Sequence, residues 1–573
     1  MSIKEHSIFL LLLVVITLSV YYSSFGNSFV YDDYDLVVDN ASIKKLDPGS
    51  LLSYFTDAGA AYANVSSAKY NWRPVVTSSF AVDHKLWKLD PRPYHIENAI
   101  LHSLNAILVY AIVFLLLSNG LAAFLCALIF AIHPVQTQAV AWISGRATLL
   151  SMAFFLAAFL FHIRNRIKGA GVLNYSLLLV SFTLGLLSKE MSITLPLVLI
   201  TYDLFFHARK AFKEYAAYYL PFFLISLFYL VARFSVLGVI TQQERWWGGN
   251  IFYNILTMVK AVAEYIRLLI LPVDLGIEYS VGVPKTVLDK GLLLGVLLLS
   301  VIGILWFKLR RKKTIAFCIA WFFITMIPVY NIVPLKVIVA ERFLYLPLFA
   351  FAVLLGIFFS NLIARYKGSI PKAAIIFAIV SIFSFYAFGT MLQNASWKDE
   401  VSLYKREVRR LPDNPLSHYS LGFAYGRAAR TAGSKDASDA YCALAIKEFN
   451  ETLRLGPEYY LAYFAYTNLG DIYNQTGQRD RAVENFKKAK AIKESRDSNN
   501  NIVRLNFAQH EYGEALKNCK VAILQDPGSM NAYINLGNVY LILDERLKAK
   551  RAYFKAARLG SGDPRLMKAI NEL

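Results

Sequence analysis

Residues 250–272 read NIFYNILTMVKAVAEYIRLLILP, and whether this stretch crosses a membrane decides the topology of the whole chain. It is apolar enough to be a span, yet it carries Lys260, Glu264 and Arg267. Charged side chains at bilayer depth are costly, so these three fit a half-wet helix at the interface, or a re-entrant one, better than a lipid-facing helix.

Working outward, apolar segments recur near 7–25, 95–117, 119–136, 147–163, 172–188, 190–206, 216–240, 288–307, 314–334, 343–363 and 371–393. Clusters of Lys and Arg sit at Arg164–Lys168, Arg209–Lys213, Lys308–Lys313 and Arg365–Lys367. Cationic loops belong in the cytoplasm. If 250–272 crosses, the last two clusters fall outside; if it does not, eleven spans remain and all four fall inside. The sequence therefore predicts an all-α polytopic membrane domain of eleven spans, with the N-terminus inside. The first apolar run resembles a signal peptide but lacks a small-x-small cleavage site, and it reads as a retained first span.

Composition agrees. The chain has 573 residues, 56% of them hydrophobic, and a net charge of +20. In a membrane protein such a charge comes from inner loops; no nucleic-acid-reading motif accompanies it, and no nucleic acid is expected as a partner. Cys126, Cys318, Cys442 and Cys519 are scattered without metal or redox spacing, which argues against a disulfide framework.

The opposite face carries a different chemistry. The first outer loop, 26–94, holds Asp32, Asp33, Asp35 and Asn71-Trp72-Arg73-Pro74. At the mouth of the second span come His95, Glu97 and Asn98, with His102 deeper. His133-Pro134, Ser144-Gly145-Arg146, Ser188-Lys189-Glu190, the Gln242–Trp247 run and Glu341-Arg342 complete the set. Inner loops are plainly basic, whereas outer loops mix acids, His, Arg and aromatics. That asymmetry points to an outward-facing active site.

Past about Asn394 the hydropathy collapses and a helical repeat begins. Leu421-Gly422…Tyr425, Leu469-Gly470…Tyr473 and Leu536-Gly537…Tyr540 share one pattern, and Ala445, Ala482, Ala515 and Ala549 head the partner helices. This is the tetratricopeptide signature: four repeats, the first stretched at Thr431–Ser438 and the third degenerate around Asn499–Asn506. Such repeats hold peptides or protein partners in a concave groove. An odd number of spans puts them on the same side as Asp32 and Asp33. The expected domains are 1–394, transmembrane, and 395–573, an α-solenoid.

In order along the chain, Phe29–Asp33, Asn71–Pro74, Tyr94-His95…Asn98…His102…Asn105, His133–Arg146, Leu187–Glu190, Asn331 and Glu341–Tyr345, followed by the repeats, resemble the transmembrane and tetratricopeptide-repeat O-mannosyltransferases and their bacterial relatives, of the GT-C glycosyltransferase class. The resemblance implies a GT-C-like membrane domain that moves a sugar, mannose in the animal enzymes, from a polyprenyl-phosphate donor to an acceptor hydroxyl with inversion. It implies a protein or peptide acceptor bound through the repeats, an acidic base in the first outer loop, and no metal or other cofactor. The phrasing around Asp32 looks more bacterial than animal. The expected location is a bacterial inner membrane, or the endoplasmic reticulum membrane of a eukaryote, with the repeats on the periplasmic or lumenal side.

The chemistry is consistent with the residues. An acceptor hydroxyl needs a base, and a carboxylate beside a second one has its pKa raised toward a useful range. The departing phosphate needs cations, for which Arg342, Arg146, Lys189 and Arg73 are candidates, with His95 and His133 as donors and Glu341 alongside. Arg342 leads because only Arg offers phosphate a bidentate fork. Plainer readings stand beside these. The two acids could end the first span in water, Lys189 could pair with Glu190, Glu341-Arg342 could be a local charge pair, and His133-Pro134 could simply end a helix. Trp246-Trp247 fits an interfacial belt better than a sugar platform. Asn64, Asn394, Asn450 and Asn474 begin glycosylation sequons of use only in a eukaryotic secretory pathway. The alternative functions are an oligosaccharide ligase using polyprenyl-linked glycans and a non-enzymatic repeat scaffold.

Overall fold

The computed structural model of the chain describes residues 3–61, 71–169, 171–207, 212–239, 246–366, 369–457, 461–492, 503, 506, 511–525, 527–559 and 570–573. Asn64, Arg209 and Lys210, Gln242, Gln243, Glu244 and Arg245, Lys367, most of the degenerate third-repeat start and Pro564 lie outside them.

Among the described residues every regular element is helical, and the chain divides into two compact units, Met1–Val37 with Ser42–Lys398 and Val38–Ala41 with Asp399–Leu573. The first unit runs on past Asn394 to Lys398. The reason is local: Trp397 is buried against Trp142, and the Lys398 carbonyl accepts from the Ser28 N–H at 2.8 Å.

Seven helices of the first unit are long and apolar enough to cross a membrane: Ile3–Gly26, Pro91–Leu117, Ile143–Lys168, Tyr215–Leu237, Lys290–Leu309, Leu348–Arg365 and Ile370–Ser396. A bent pair, Gly120–Ile132 with Pro134–Val140, makes an eighth if it is one broken span. Val172–Ser188 and Lys313–Val329 are shorter apolar helices. Leu195–Phe206 has only 12 residues, about 18 Å of helix against a hydrocarbon core of about 30 Å. The count of eleven thus depends on short helices completing their crossings through the loops beside them. Ile251–Ile270 is not among the candidate spans. Its charges are spent locally: Lys260 reaches Asp289 (3.1 Å) and the Gly282 carbonyl (2.8 Å), and Arg267 pairs with Glu264.

Local sequence explains the breaks. Asn119 and Asp289 cap the helices that follow by accepting from Ala122 N and Leu292 N. Pro134 cannot continue the helix before it and forces His133 into extended backbone, which produces the 52° bend. Gly145 is required by space: a Cβ there would lie 2.2 Å from the Ala139 carbonyl oxygen.

In the second unit the helices pair as Pro415–Thr431 with Lys435–Leu455, Leu461–Gln475 with Arg479–Ile492, and Met530–Ile542 with Arg546–Arg558. The same fit recurs in each pair. A Cβ on Gly422, Gly470 or Gly537 would run into the ring of Phe449, Phe486 or Tyr553 on the partner helix. These glycines let the aromatic fill the seam, which is how two short helices bury a face that neither could bury alone. Of the sequons, Asn394 is fully buried with its amide donating to the Val20 carbonyl, so no glycan can reach it; Asn450 and Asn474 are exposed.

Candidate active site

Four membrane helices run to a common cavity at one end, and three of them, all but Val172–Ser188, carry basic residues at the other. Arg146–Lys168 ends in Arg166 and Lys168, and begins beside Gly145, Ala147 and Thr148 of the cavity wall. Val172–Ser188 ends next to Lys189, Lys313–Thr325 leads to Pro328 and Val329, and Leu348–Arg365 follows Arg342 and Phe343. The first of these helices alone is about 34 Å long, so the basic end and the cavity end are a bilayer's thickness apart.

The cavity holds about 560 Å³, within the range of small-ligand sites. Asp32 and Asp35 line it together with Arg73, Lys189, Glu190, Lys336 and Arg342. Its walls are completed by Tyr31, Asn71, Trp142, Ser144 and Phe343.

The tandem acids are not equivalent. Asp33 is fully buried and outside the cavity lining. Its Oδ1 accepts from Ser144 N (2.8 Å) and Ser144 Oγ (2.5 Å), and its Oδ2 from Val30 N (3.0 Å). Asp32 is half-buried and faces the cavity. Both lie in the tight turn Val30–Asp33, in which Tyr31 adopts φ 55°, a left-handed conformation unusual for a bulky residue, while Asp33 N donates to Val30 O. Burial pushes the Asp32 carboxyl up to about 6; Arg342 and Arg73 pull it down, and Asp35 adds to the rise. Burial likewise pushes Asp33 up to about 7 against its three hydrogen bonds. The tandem arrangement is therefore not the main cause of the shift. Burial is; among its neighbours Arg342 acts most strongly and lowers it, and the acid that adds to the rise is Asp35.

The cations differ as sharply. Lys189 is buried at the cavity wall with Nζ donating to Thr148 Oγ1 at 2.8 Å, and burial pushes it down to about 7. Glu190 takes Arg73 as its partner (3.1 Å). Arg342 is half-buried; its guanidinium carbon lies 5.7 Å from the Trp142 ring centroid and 5.2 Å from that of Phe343, while its backbone N–H donates to Gln138 Oε1. Glu341 turns away from it, buried, and accepts from Gly276 N and Tyr279 Oη at 2.6 Å.

Five of the residues singled out in the sequence stand outside the cavity lining: Asp33, His95, His133, Arg146 and Glu341. Arg146 is saturated by protein partners: Asp83, Glu97 (3.0 Å), Asn98 Oδ1 (3.0 Å) and the Tyr94 carbonyl (3.1 Å), with the Phe80 ring 5.1 Å away. Burial and the adjacent Glu97 push the Asp83 carboxyl up against the pull of Arg146. His133 donates through Nε2 to the Leu269 carbonyl and accepts from Val135 N, and His95 is buried. His102 and Asn105 both bond Tyr345 Oη, and Asn98 Nδ2 bonds the Val140, Trp142 and Ile143 carbonyls. Much of the polar motif series thus braces the 133–146 loop. Trp246 and Trp247 donate to the Ile332 and Leu335 carbonyls, so both indoles are fastened to the loop that lines one side of the cavity. Asn331, at φ 55°, shapes that loop by accepting from Leu335 N.

Three functional features escaped the sequence: Asp83 as the partner of Arg146, Ser144 as the brace of Asp33, and Trp142 in the cavity wall. Asp83 had a signal, being the one acid in the helix Pro74–Trp87.

Comparison with known proteins adds family context. The model described as Tetratricopeptide repeat matches residues 465–496. The chain is similar to Protein O-mannosyl-transferase F38B6.6 of Caenorhabditis elegans, 29% identical over 471 residues, covering 78% of this chain and 63% of that one. It is also similar to human Protein O-mannosyl-transferase TMTC3, 25% identical over 608 residues, covering 96% and 64%. The chain spans a little under two thirds of the length of these curated relatives. Among solved structures, ArnT from Cupriavidus metallidurans bound to undecaprenyl phosphate overlaps with a TM-score of 0.40 and 15% identity, covering 80% of each chain. The ordered motifs and the curated relatives point to the same group of transferases.

Proposed function

We propose that the chain is an integral-membrane glycosyltransferase that moves a single sugar, in the manner of its O-mannosyl-transferase relatives, from a polyprenyl-phosphate donor to the hydroxyl of a protein acceptor. The observation that carries this reading is one cavity with an acid, Asp32, on its wall and the cations Lys189 and Arg342 beside it. A carboxylate raised to about 6 is mostly ionised at neutral pH and still basic enough to take a proton.

Asp32 takes the acceptor hydroxyl proton as the oxygen attacks the anomeric carbon. The bond from that carbon to the phosphate oxygen breaks, and the phosphate leaves with the electron pair, its charge met by Arg342 and Lys189. One displacement inverts the anomeric centre. Asp33 serves as a brace, fixing the turn on which Asp32 sits. Arg73, tied to Glu190, shapes the cation side rather than leading it. The sugar of a lipid-linked donor sits at headgroup level, which suits a cavity a bilayer's thickness from the basic helix ends. Those ends favour the extracytoplasmic face for the cavity. Eleven spans would place the repeats on that face too, where they would present the acceptor.

The test is transfer itself. Full-length protein in lipid nanodiscs, given radiolabelled polyprenyl-phosphate hexose and a folded acceptor protein, should move label to acceptor. Use of a nucleotide sugar with no use of the lipid-linked donor would reject this reading.

A further inference from the structure

The last residues before the repeats pack behind the cavity wall. Trp397 is 1% exposed, and its ring stacks on Trp142 with centroids 6.0 Å apart and planes at 25°. Trp142 in turn lies under the Arg342 guanidinium at 5.7 Å and packs against the Tyr31 ring at 5.6 Å. Tyr31 is the left-handed residue directly before Asp32. The backbone around this stack is fastened on both sides. Ser28 N donates to Lys398 O (2.8 Å), and Asn98 Nδ2 donates to Trp142 O (3.0 Å). One indole thus touches both the cation and the turn that carries the acid, and its own place is set by Trp397.

We propose that Trp397 is a positioning residue for the transfer: through Trp142 it fixes the Arg342 guanidinium and the Tyr31–Asp32 turn relative to each other. The proposal rests on the functional reading above. An arginine side chain has many rotamers, and only a guanidinium held in advance binds phosphate without losing that freedom on binding. An aromatic ring close to the guanidinium restricts it and adds cation–π attraction. A ring without its own stacking partner could do neither well. The residue that matters is far from every motif in the series, at the end of the Ser369–Ser396 helix.

The test uses full-length protein in nanodiscs and measures binding of sugar-free polyprenyl phosphate by calorimetry. Trp397→Leu fills much of the volume but removes the ring; we expect binding about 5- to 30-fold weaker, and Trp397→Phe to recover most of it. In an Arg342→Ala background Trp397→Leu should weaken binding no further, because its effect runs through Arg342. A merely structural role would weaken both backgrounds alike, and that result overturns the proposal. Equal binding by wild type and Trp397→Leu also overturns it while leaving the functional reading intact. Wild-type protein that binds no polyprenyl phosphate overturns both. If Trp397→Leu does not fold, Trp397→Phe carries the same comparison, with a smaller loss expected only where Arg342 is present.

Discussion

Arg146 and Arg342 both come from the motif series, both sit near the ends of membrane helices, and the protein treats them in opposite ways. Arg146 has two carboxylates, an amide oxygen and a carbonyl around it, and almost no surface left. Arg342 is bordered by two aromatic rings and faces a cavity. A buried guanidinium that protein acceptors already satisfy has nothing to offer a ligand. One flanked by rings keeps its charge while its geometry is held. On the proposed function, the contrast separates a structural cation from a binding one more cleanly than charge, burial or motif membership.

Removing each arginine should break the comparison in a different place. Arg146→Ala leaves Asp83 and Glu97 beside each other and uncompensated, and should cost about 3–5 kcal/mol of stability. Thermal unfolding in detergent would read this as a large fall in Tm, whereas a small fall with weakened donor binding would mean that Arg146 belongs to the site. Arg342→Ala should unfold near the wild-type temperature yet raise donor KM about 10- to 100-fold, the value of a charged hydrogen bond or two. Arg342→Lys should rescue it poorly, since Lys lacks the planar fork. Wild-type KM in the Lys variant would remove the bidentate contact from the account.

A smaller effect sharpens the acid side. Asp32 must be ionised to accept a proton, and its pKa of about 6 means the ionised fraction falls as pH drops through 6. Between pH 7 and pH 5, kcat/KM for the donor should fall about tenfold. Lys189 works in the other sense. With a pKa of about 7 in the free protein, its positive charge is lost as pH rises above 7, and donor affinity should weaken there. A profile flat from pH 5 to 8 would assign neither group a role.

The sequence made the division into membrane helices and repeats legible because both rest on local patterns, runs of apolar residues and a Leu-Gly…Tyr period. It also brought Asp32, Arg73, Lys189 and Arg342 forward, since charged residues at span mouths stand out against apolar neighbours. What it could not supply was pairing. That Arg146 meets Asp83, that Asp33 meets Ser144, and that Glu190 chooses Arg73 over adjacent Lys189 are contacts between segments far apart in the chain. The Trp142–Trp397 stack is further still from any local signal, because neither tryptophan sits in a periodic pattern. Span counting met a related limit. Hydropathy marks 190–206 as one segment, but its first turn, Glu190–Thr194, is a separate short helix, and the remainder is too short to cross alone.

The central claim is that the two adjacent acids divide the labour, Asp32 as base and Asp33 as brace. The most direct measurement is turnover of full-length Asp32→Asn in nanodiscs at saturating donor and acceptor, with polyprenyl-phosphate binding measured on the same sample. Asparagine keeps the shape of the side chain and cannot take the proton. The account predicts a turnover loss of about 10²–10⁴ with donor binding within about twofold of wild type. Turnover within a few-fold of wild type would contradict it, and would send the search for the base to Asp35, the cavity-wall acid nearest in sequence.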